Sequence, residues 1–225
     1  MMPARLPKLV GLAASGPGAG KDTMFLNLKA SGLPVENIKF ATKLEQEVFA
    51  QFQGMNPKDL DWIRNDARAK DQPFHFLSIN SVCGPKPEYK TWLACMHSFE
   101  GLDEPRSMRW HLIEYGTNYV RKYLGRDSYW LDAGMAAAQL THTRGSLPVI
   151  TDVRFPNEAK AIKDAGGLLV YLNSPWSTNT NGGIADGLIS PEDCHLVIDT
   201  IHGNPSYAAD YLLAYFKKGH THERT

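Results

Sequence analysis

Short apolar runs recur along this chain, at residues 9–14, 35–41, 147–152, 168–172 and 195–201. Each has the length of a strand, and those at 147–152 and 168–172 are apolar enough for burial on both faces. Between them, apolar positions return at helical spacing. Leu44, Val48, Phe49 and Phe52 line one face of a helix running to about residue 52. Thr42 and Glu45 have capping-box spacing at its start. Further helices are predicted over 24–30, 60–70, 88–99, 108–124, 131–140, 159–167 and 206–217. Gly32 closes the first, Gly166-Gly167 stop the one before the fourth run, and Asn157 is a candidate cap. Strand and helix alternate, so the pattern predicts an α/β fold built on a central parallel sheet flanked by helices.

Two stretches break the rhythm. Residues 54–106 are rich in aromatic and charged side chains and are interrupted by Pro57, Pro73, Pro85, Pro87 and Pro105. They read as a mainly helical insertion in a single domain spanning 1–225, and equally as an irregular structural excursion. Arg64, Arg68 and Lys70 there read as a solvated face. Residues 173–193 have no periodicity and no Lys or Arg, and are expected to form a mobile cover loop.

The first junction carries the most specific chemistry. After the strand at 9–14 come Ser15, Gly16, Pro17, Gly18, Ala19, Gly20, Lys21, Asp22 and Thr23, then a helix. A glycine-rich turn between a strand and a helix aims backbone N–H groups and a helix N-terminus at one point, where a phosphate can sit. Glycines allow positive φ and close approach, and Lys21 would lie against the outer phosphates. The strict pattern has Gly where this chain has Ser15, and Ser or Thr where it has Asp22, with Thr23 one residue later.

Composition narrows the field. The 225 residues carry 24 basic and 24 acidic side chains, so no strongly basic face for nucleic acid is expected. Cys83, Cys95 and Cys194 are odd in number and widely spaced, as for reduced thiols in a cytoplasmic protein. Cys83, Cys95 and His97 lack metal-ligand spacing. No apolar run suits a signal peptide or a membrane span. His220 and His222 belong to a polar tail.

Downstream, Arg109 and Arg121 flank Gly116-Thr117 inside a helical pattern. They read equally as a bidentate phosphate grip and as two exposed helix arginines. The glycine predicts a break or a close backbone approach. Asp152 ends an apolar run at the edge where a parallel sheet opens onto its ligand, and an acid there can support Mg²⁺ through its water shell. Tyr115, Tyr119, Trp130 and Phe155 are candidates to stack on a base, and each reads as plain core when taken singly.

Four stretches together resemble the bacteriophage deoxynucleoside monophosphate kinases, a branch of the P-loop nucleoside monophosphate kinases. These are GPGAGKDT from Gly16, the Arg109–Arg121 pattern R-x-x-L-x-x-x-G-T-x-x-x-R, the DSYW at 127–130, and DVRFPNEAKAI from Asp152. The likeness spans about residues 9–204. Ile113, Asn118 and the segment Thr42-Lys43-Leu44-Glu45 depart from the family's usual residues, which bears on base preference. The resemblance implies a three-layer P-loop kinase fold and transfer of the ATP γ-phosphoryl group to a deoxynucleoside 5′-monophosphate. It implies ATP at Ser15, Gly16, Gly18, Ala19, Gly20, Lys21, Asp22 and Thr23. It implies the acceptor at Lys43, Arg109, Gly116, Thr117, Arg121, Trp130, Asp152, Arg154 and Phe155. Mg²⁺ would be supported by Thr23 and Asp152, directly or through water, and Lys21, Arg109, Arg121 and Arg154 would act on the transferring group. Partners would be small nucleotides, not nucleic acid or membrane, for a monomer or homodimer in the (host) cytoplasm. Two rivals stay open: a P-loop kinase for another small acceptor, and a P-loop ATPase or nucleotide-sensing module that transfers nothing.

Overall fold

The structure, a computed structural model, describes residues 6–16, 18–175, 177 and 188–218. In chain order it contains β1 (Val10–Ala14), α1 (Lys21–Ala30), β2 (Val35–Ile38), α2 (Ala41–Phe49), α3 (Pro57–Asn65), α4 (Ala67–Asp71), β3 (Pro73–Phe74), α5 (Pro87–Met96) and β4 (Arg106–Ser107). Then follow α6 (Met108–Ile113), a π-helix (Glu114–Tyr123), α7 (Tyr129–Thr143), β5 (Leu147–Ile150), α8 (Pro156–Asp164), β6 (Leu168–Asn173), β7 (Leu196–Asp199) and α9 (Tyr207–Lys217). The chain divides into two compact units, Met1–Phe40 with Ala133–Thr225, and Ala41–Asp132. The stretch 54–106 lies wholly inside the second.

The first unit is a parallel five-stranded sheet in the order β2-β5-β1-β6-β7. β1 is central and buried along its whole length, so it shows no polar alternation. Val10, Leu12 and Ala14 face Met24, Phe25 and Leu28 of α1 and Ala209, Leu212 and Phe216 of α9. On the other face a Cβ at Gly11 would lie 2.6 Å from Ile162 Cδ1 of α8. Within the same unit Gly134 of α7 meets the Phe40 ring, and Thr141 Oγ1 donates to Glu36 at 3.2 Å. Helices therefore cover both faces, giving the three-layer α/β arrangement that the alternating pattern predicts.

The second unit is helical around an aromatic core that includes Phe52, Tyr89, Trp92, Tyr115, Tyr119 and Trp130. Several local expectations change here. Thr42 and Glu45 form no capping box, because α2 starts at Ala41 and Glu45 instead pairs with Lys70 at 2.8 Å. The helix expected over 60–70 is two, because Asp66 leaves helical backbone and its carboxylate accepts the Arg68 and Ala69 N–H groups. The 3₁₀ and π segments are local choices that a 3.6 period does not register.

Candidate active site

β1 stops at Ala14, and the chain turns through Gly18 (φ 76°) and Gly20 (φ 90°) before α1 begins at Lys21. Nothing lies within 4 Å of a Cβ built on either glycine, so backbone conformation, not crowding, requires them. Gly20 holds the cap position and offers no side chain to the first turn, while the Met24 N–H closes onto the Gly20 carbonyl at 2.8 Å. The amino end of α1 is thus free of a side-chain cap, and its N–H groups and dipole favour an anion. Lys21 is half-buried in that first turn. Asp22 points away to Lys39, 3.3 Å from its ammonium, and Thr23 is exposed.

A cleft of about 220 Å³ opens beside this loop, with Gly18, Gly20 and Thr23 on one wall and Thr200, His202 and Asn204 on the other. Asn27 fastens the walls together, its amide donating to the Thr23 and Pro205 carbonyls at 3.0 and 2.9 Å. The far wall is the loop after β7, which no motif marked. Its one signal in the sequence is the Gly203-Asn204-Pro205 turn just beyond the carboxyl end of a strand, the edge where parallel sheets receive ligands.

The same unit carries Asp152 and Arg154 after β5. Asp152 Oδ1 accepts the Phe40 N–H at 2.9 Å, which ties the segments following β2 and β5 together. Arg154 is exposed and Phe155 half-buried. Their backbone N–H groups both donate to Glu158 Oε2, at 2.8 and 3.0 Å, from a side chain that is 5% exposed. Asn157 is therefore not the cap. α8 starts at Pro156, and the glutamate in its first turn reaches back to close it.

In the second unit, Arg109 Nε donates to Asp71 at 2.5 Å with both side chains half exposed. Arg121 is half-buried within the π-helix. Gly116-Thr117 makes no break. The helix runs through it, and the glycine serves close approach, since a Cβ there would sit 2.9 Å from Leu44 Cδ2. Thr117 is exposed. Trp130 is buried and donates its indole N–H to the Gly116 carbonyl at 3.2 Å. Tyr115 and Tyr119 are core residues too. Lys43 lies 3.4 Å from Glu47, whose carboxylate also accepts from Lys86 (2.5 Å), Tyr115 (2.6 Å) and Tyr129 (2.7 Å). Burial alone would raise the Glu47 pKa, but these donors outweigh it and hold the carboxyl down at about 2. The same contact pushes the Tyr129 hydroxyl up, and burial with Glu47 pushes Tyr115 far above the usual range. Sequence reading missed Glu47 and Lys86, which belong to no motif.

Thr23 and Asp152 are hard oxygen donors of the kind Mg²⁺ takes. Among the described residues no three His, Cys, Asp or Glu side chains gather as a metal cluster, and no helix is long and apolar enough to cross a membrane. The cysteines are free, with Cys83 and Cys95 exposed. The cover loop of 173–193 and the tail histidines fall largely or wholly outside the described residues.

Neither a protein-family model nor a curated protein sequence matches the chain. Among solved structures it is similar to dephospho-CoA kinase from Campylobacter jejuni, at 9% identity and a TM-score of 0.41, over 94% of this chain and 98% of that one. A likeness that loose carries no inference about activity.

Proposed function

We propose that the protein transfers the γ-phosphoryl group of ATP to a deoxynucleoside 5′-monophosphate. One observation carries the reading: an uncapped helix amino end, reached through two positive-φ glycines, holds Lys21 in its first turn beside a 220 Å³ cleft. Such a loop suits a triphosphate tail, and the adjoining cleft suits the nucleoside attached to it. The motifs from Arg109 and Asp152 support the choice of acceptor.

In this reading residues 15, 16 and 18–23 wrap the donor phosphates through main-chain N–H groups, and Lys21 neutralises charge on the outer ones. Thr23 and Asp152 would hold Mg²⁺, directly or through water, and the ion would supply further neutralisation of the phosphate oxygens. Arg109, Arg121 and Arg154 grip the acceptor phosphate and offset charge as the phosphoryl group moves. Lys43, Thr117 and Phe155 contact the acceptor, while Gly116 and Trp130 shape its support from the core. No general base is needed, because the attacking oxygen belongs to a phosphate already ionised at neutral pH.

A coupled phosphorylation assay with each common deoxynucleoside and ribonucleoside monophosphate tests this. Diphosphate formed from at least one deoxynucleotide is the expected result. ATP hydrolysis that no monophosphate stimulates would favour the non-transferring module, and transfer only to other acceptors would favour a different kinase.

A further inference from the structure

The carboxylate of Glu47 is where four side chains from separate parts of the second unit meet. Lys43 comes from the same helix one turn earlier, Lys86 from the segment before α5, Tyr115 from the π-helix and Tyr129 from the start of α7. Lys86 and Tyr115 share Oε2, and Tyr129 and Lys43 take Oε1. Glu47 is 14% exposed, whereas Lys43 and Lys86 are 44% and 40% exposed.

One ammonium would neutralise this carboxylate, and the two phenols take two more of its roughly four lone-pair sites. The second lysine is therefore surplus positive charge at a fixed place. The tyrosine hydroxyls stay neutral, so Lys43, Lys86 and Glu47 sum to one excess positive charge. Arg126, whose guanidinium lies 5.9 Å from the centre of the Tyr129 ring, adds another. Donors are also left over. An ammonium has three N–H bonds. Lys86 spends two, on Glu47 and on Tyr115 at 2.6 Å, and Lys43 makes one long ion pair and lies over the Tyr129 ring at 5.6 Å. The place of Lys86 is set by main chain as well. The Cys83 N–H donates to the Gln51 carbonyl at 2.9 Å, and a Cβ on Gly84 would lie 2.3 Å from Gln51 Cα, so the segment is pressed onto the chain just after α2.

We infer that Lys43 and Lys86 form an anion site for a phosphate monoester, and that Glu47 is its positioning residue, holding the two ammonium groups apart and at the surface. Taking that monoester to be the acceptor nucleotide rests on the phosphoryl-transfer reading above. The site itself does not.

Two titrations and a kinetic comparison on the full chain decide it. Calorimetric titration with inorganic phosphate and with a deoxynucleoside monophosphate should show binding that Lys86→Met weakens about tenfold or more, the loss of one charge-assisted contact. In steady state the same variant should raise the acceptor KM by that factor and leave the ATP KM within about twofold. Glu47→Gln supplies the opposed signs. If Glu47 only offsets charge, its neutralisation makes the region more positive and tightens phosphate. If it positions the lysines, phosphate binding weakens although the net charge has risen. Weakening, with the thermal melt still cooperative, is the expected result. Unchanged phosphate and monophosphate affinity in Lys86→Met, or no binding of either probe by the parent protein, overturns the site, and tighter binding in Glu47→Gln overturns the positioning role. A parent protein that phosphorylates no monophosphate would defeat the kinase reading alone, and the phosphate titrations would still judge the site.

Discussion

The two units keep themselves folded by different means. The first has a mostly aliphatic core, rich in Leu and Val, between sheet and helices. The second packs Trp, Tyr and Phe rings, and runs phenol, ammonium and carboxylate groups through the same region. An aliphatic layer is tolerant, since it needs volume and pattern. An aromatic core with Tyr115, His111 and Trp130 inside it also demands a partner for every buried polar atom. Sequence specifies the first kind in a way that can be read locally, and the second only through its finished contacts.

The contrast can be broken most sharply with a pair of variants. Lys21→Ala in the first unit should lower transfer by about 10²–10³-fold, as for other preorganised charge contacts, with no change in the melt. Trp130→Ala in the second should cost about 3–5 kcal/mol in urea unfolding by emptying a buried ring site. Reversed outcomes would mean that Lys21 is a packing residue and that Trp130 contributes little to the core.

Glycines give the next test. Gly84→Ala drives a Cβ against backbone atoms, Gln51 Cα at 2.3 Å and Ala50 O at 2.5 Å, and should cost about 3 kcal/mol. Gly11→Ala meets the flexible end of Ile162 and should cost about 1 kcal/mol. Equal costs in denaturant titrations would remove the distinction between a forgiving layer and an exacting one.

Acid should separate the units too. His111 is fully buried, with Nε2 donating to the Leu77 carbonyl at 2.7 Å, and burial lowers its pKa from 6.5 to about 4. The unfolded chain therefore takes up this proton first, and stability falls as pH drops from 6.5 toward 4. Glu47 adds a second loss. Its depressed pKa stabilises the fold above about 4.5, and that contribution disappears as pH falls toward about 2. Hydrogen exchange followed by mass spectrometry between pH 7 and pH 4 should show residues 41–132 losing protection before the sheet. Protection lost first in β1 or β6 would contradict this.

The smallest effect concerns thiols. Cys83 and Cys95 are exposed, while burial pushes the Cys194 thiol up to about 12. A thiol reagent at pH 8 should modify two cysteines quickly and the third slowly.

These differences explain what could be read in advance. The five sheet strands are short contiguous runs, and the glycine loop announces itself because backbone geometry demands particular residues there. The observed strands fall within one or two residues of the expected runs at β1, β5 and β6, where apolar character is unbroken. Glu158 was legible in principle, since Pro156 and an acid two residues later suit a helix start, yet Asn157 had the commoner capping side chain. The α2 start was not legible, because Glu45 is taken by Lys70 through a tertiary contact, while the division at Asp66 and the π-helix are local choices that the helical period does not register. Glu47 and Lys86 carry no local signal at all. One acid among 24 is distinguished only by what folding brings to it.

The strand pairing also dictates an order of events during synthesis. Among the described residues β1 bonds only to β5 and β6, and β2 only to β5. β1 and β2 thus leave the ribosome before β5, the strand that joins them, which follows the end of β2 by more than a hundred residues. Meanwhile 41–132 is complete and can collapse on its own contacts. The nascent amino-terminal strands must wait with open edges, so the interval before residue 147 emerges is when this polypeptide is most exposed to misassociation and has most use for a chaperone.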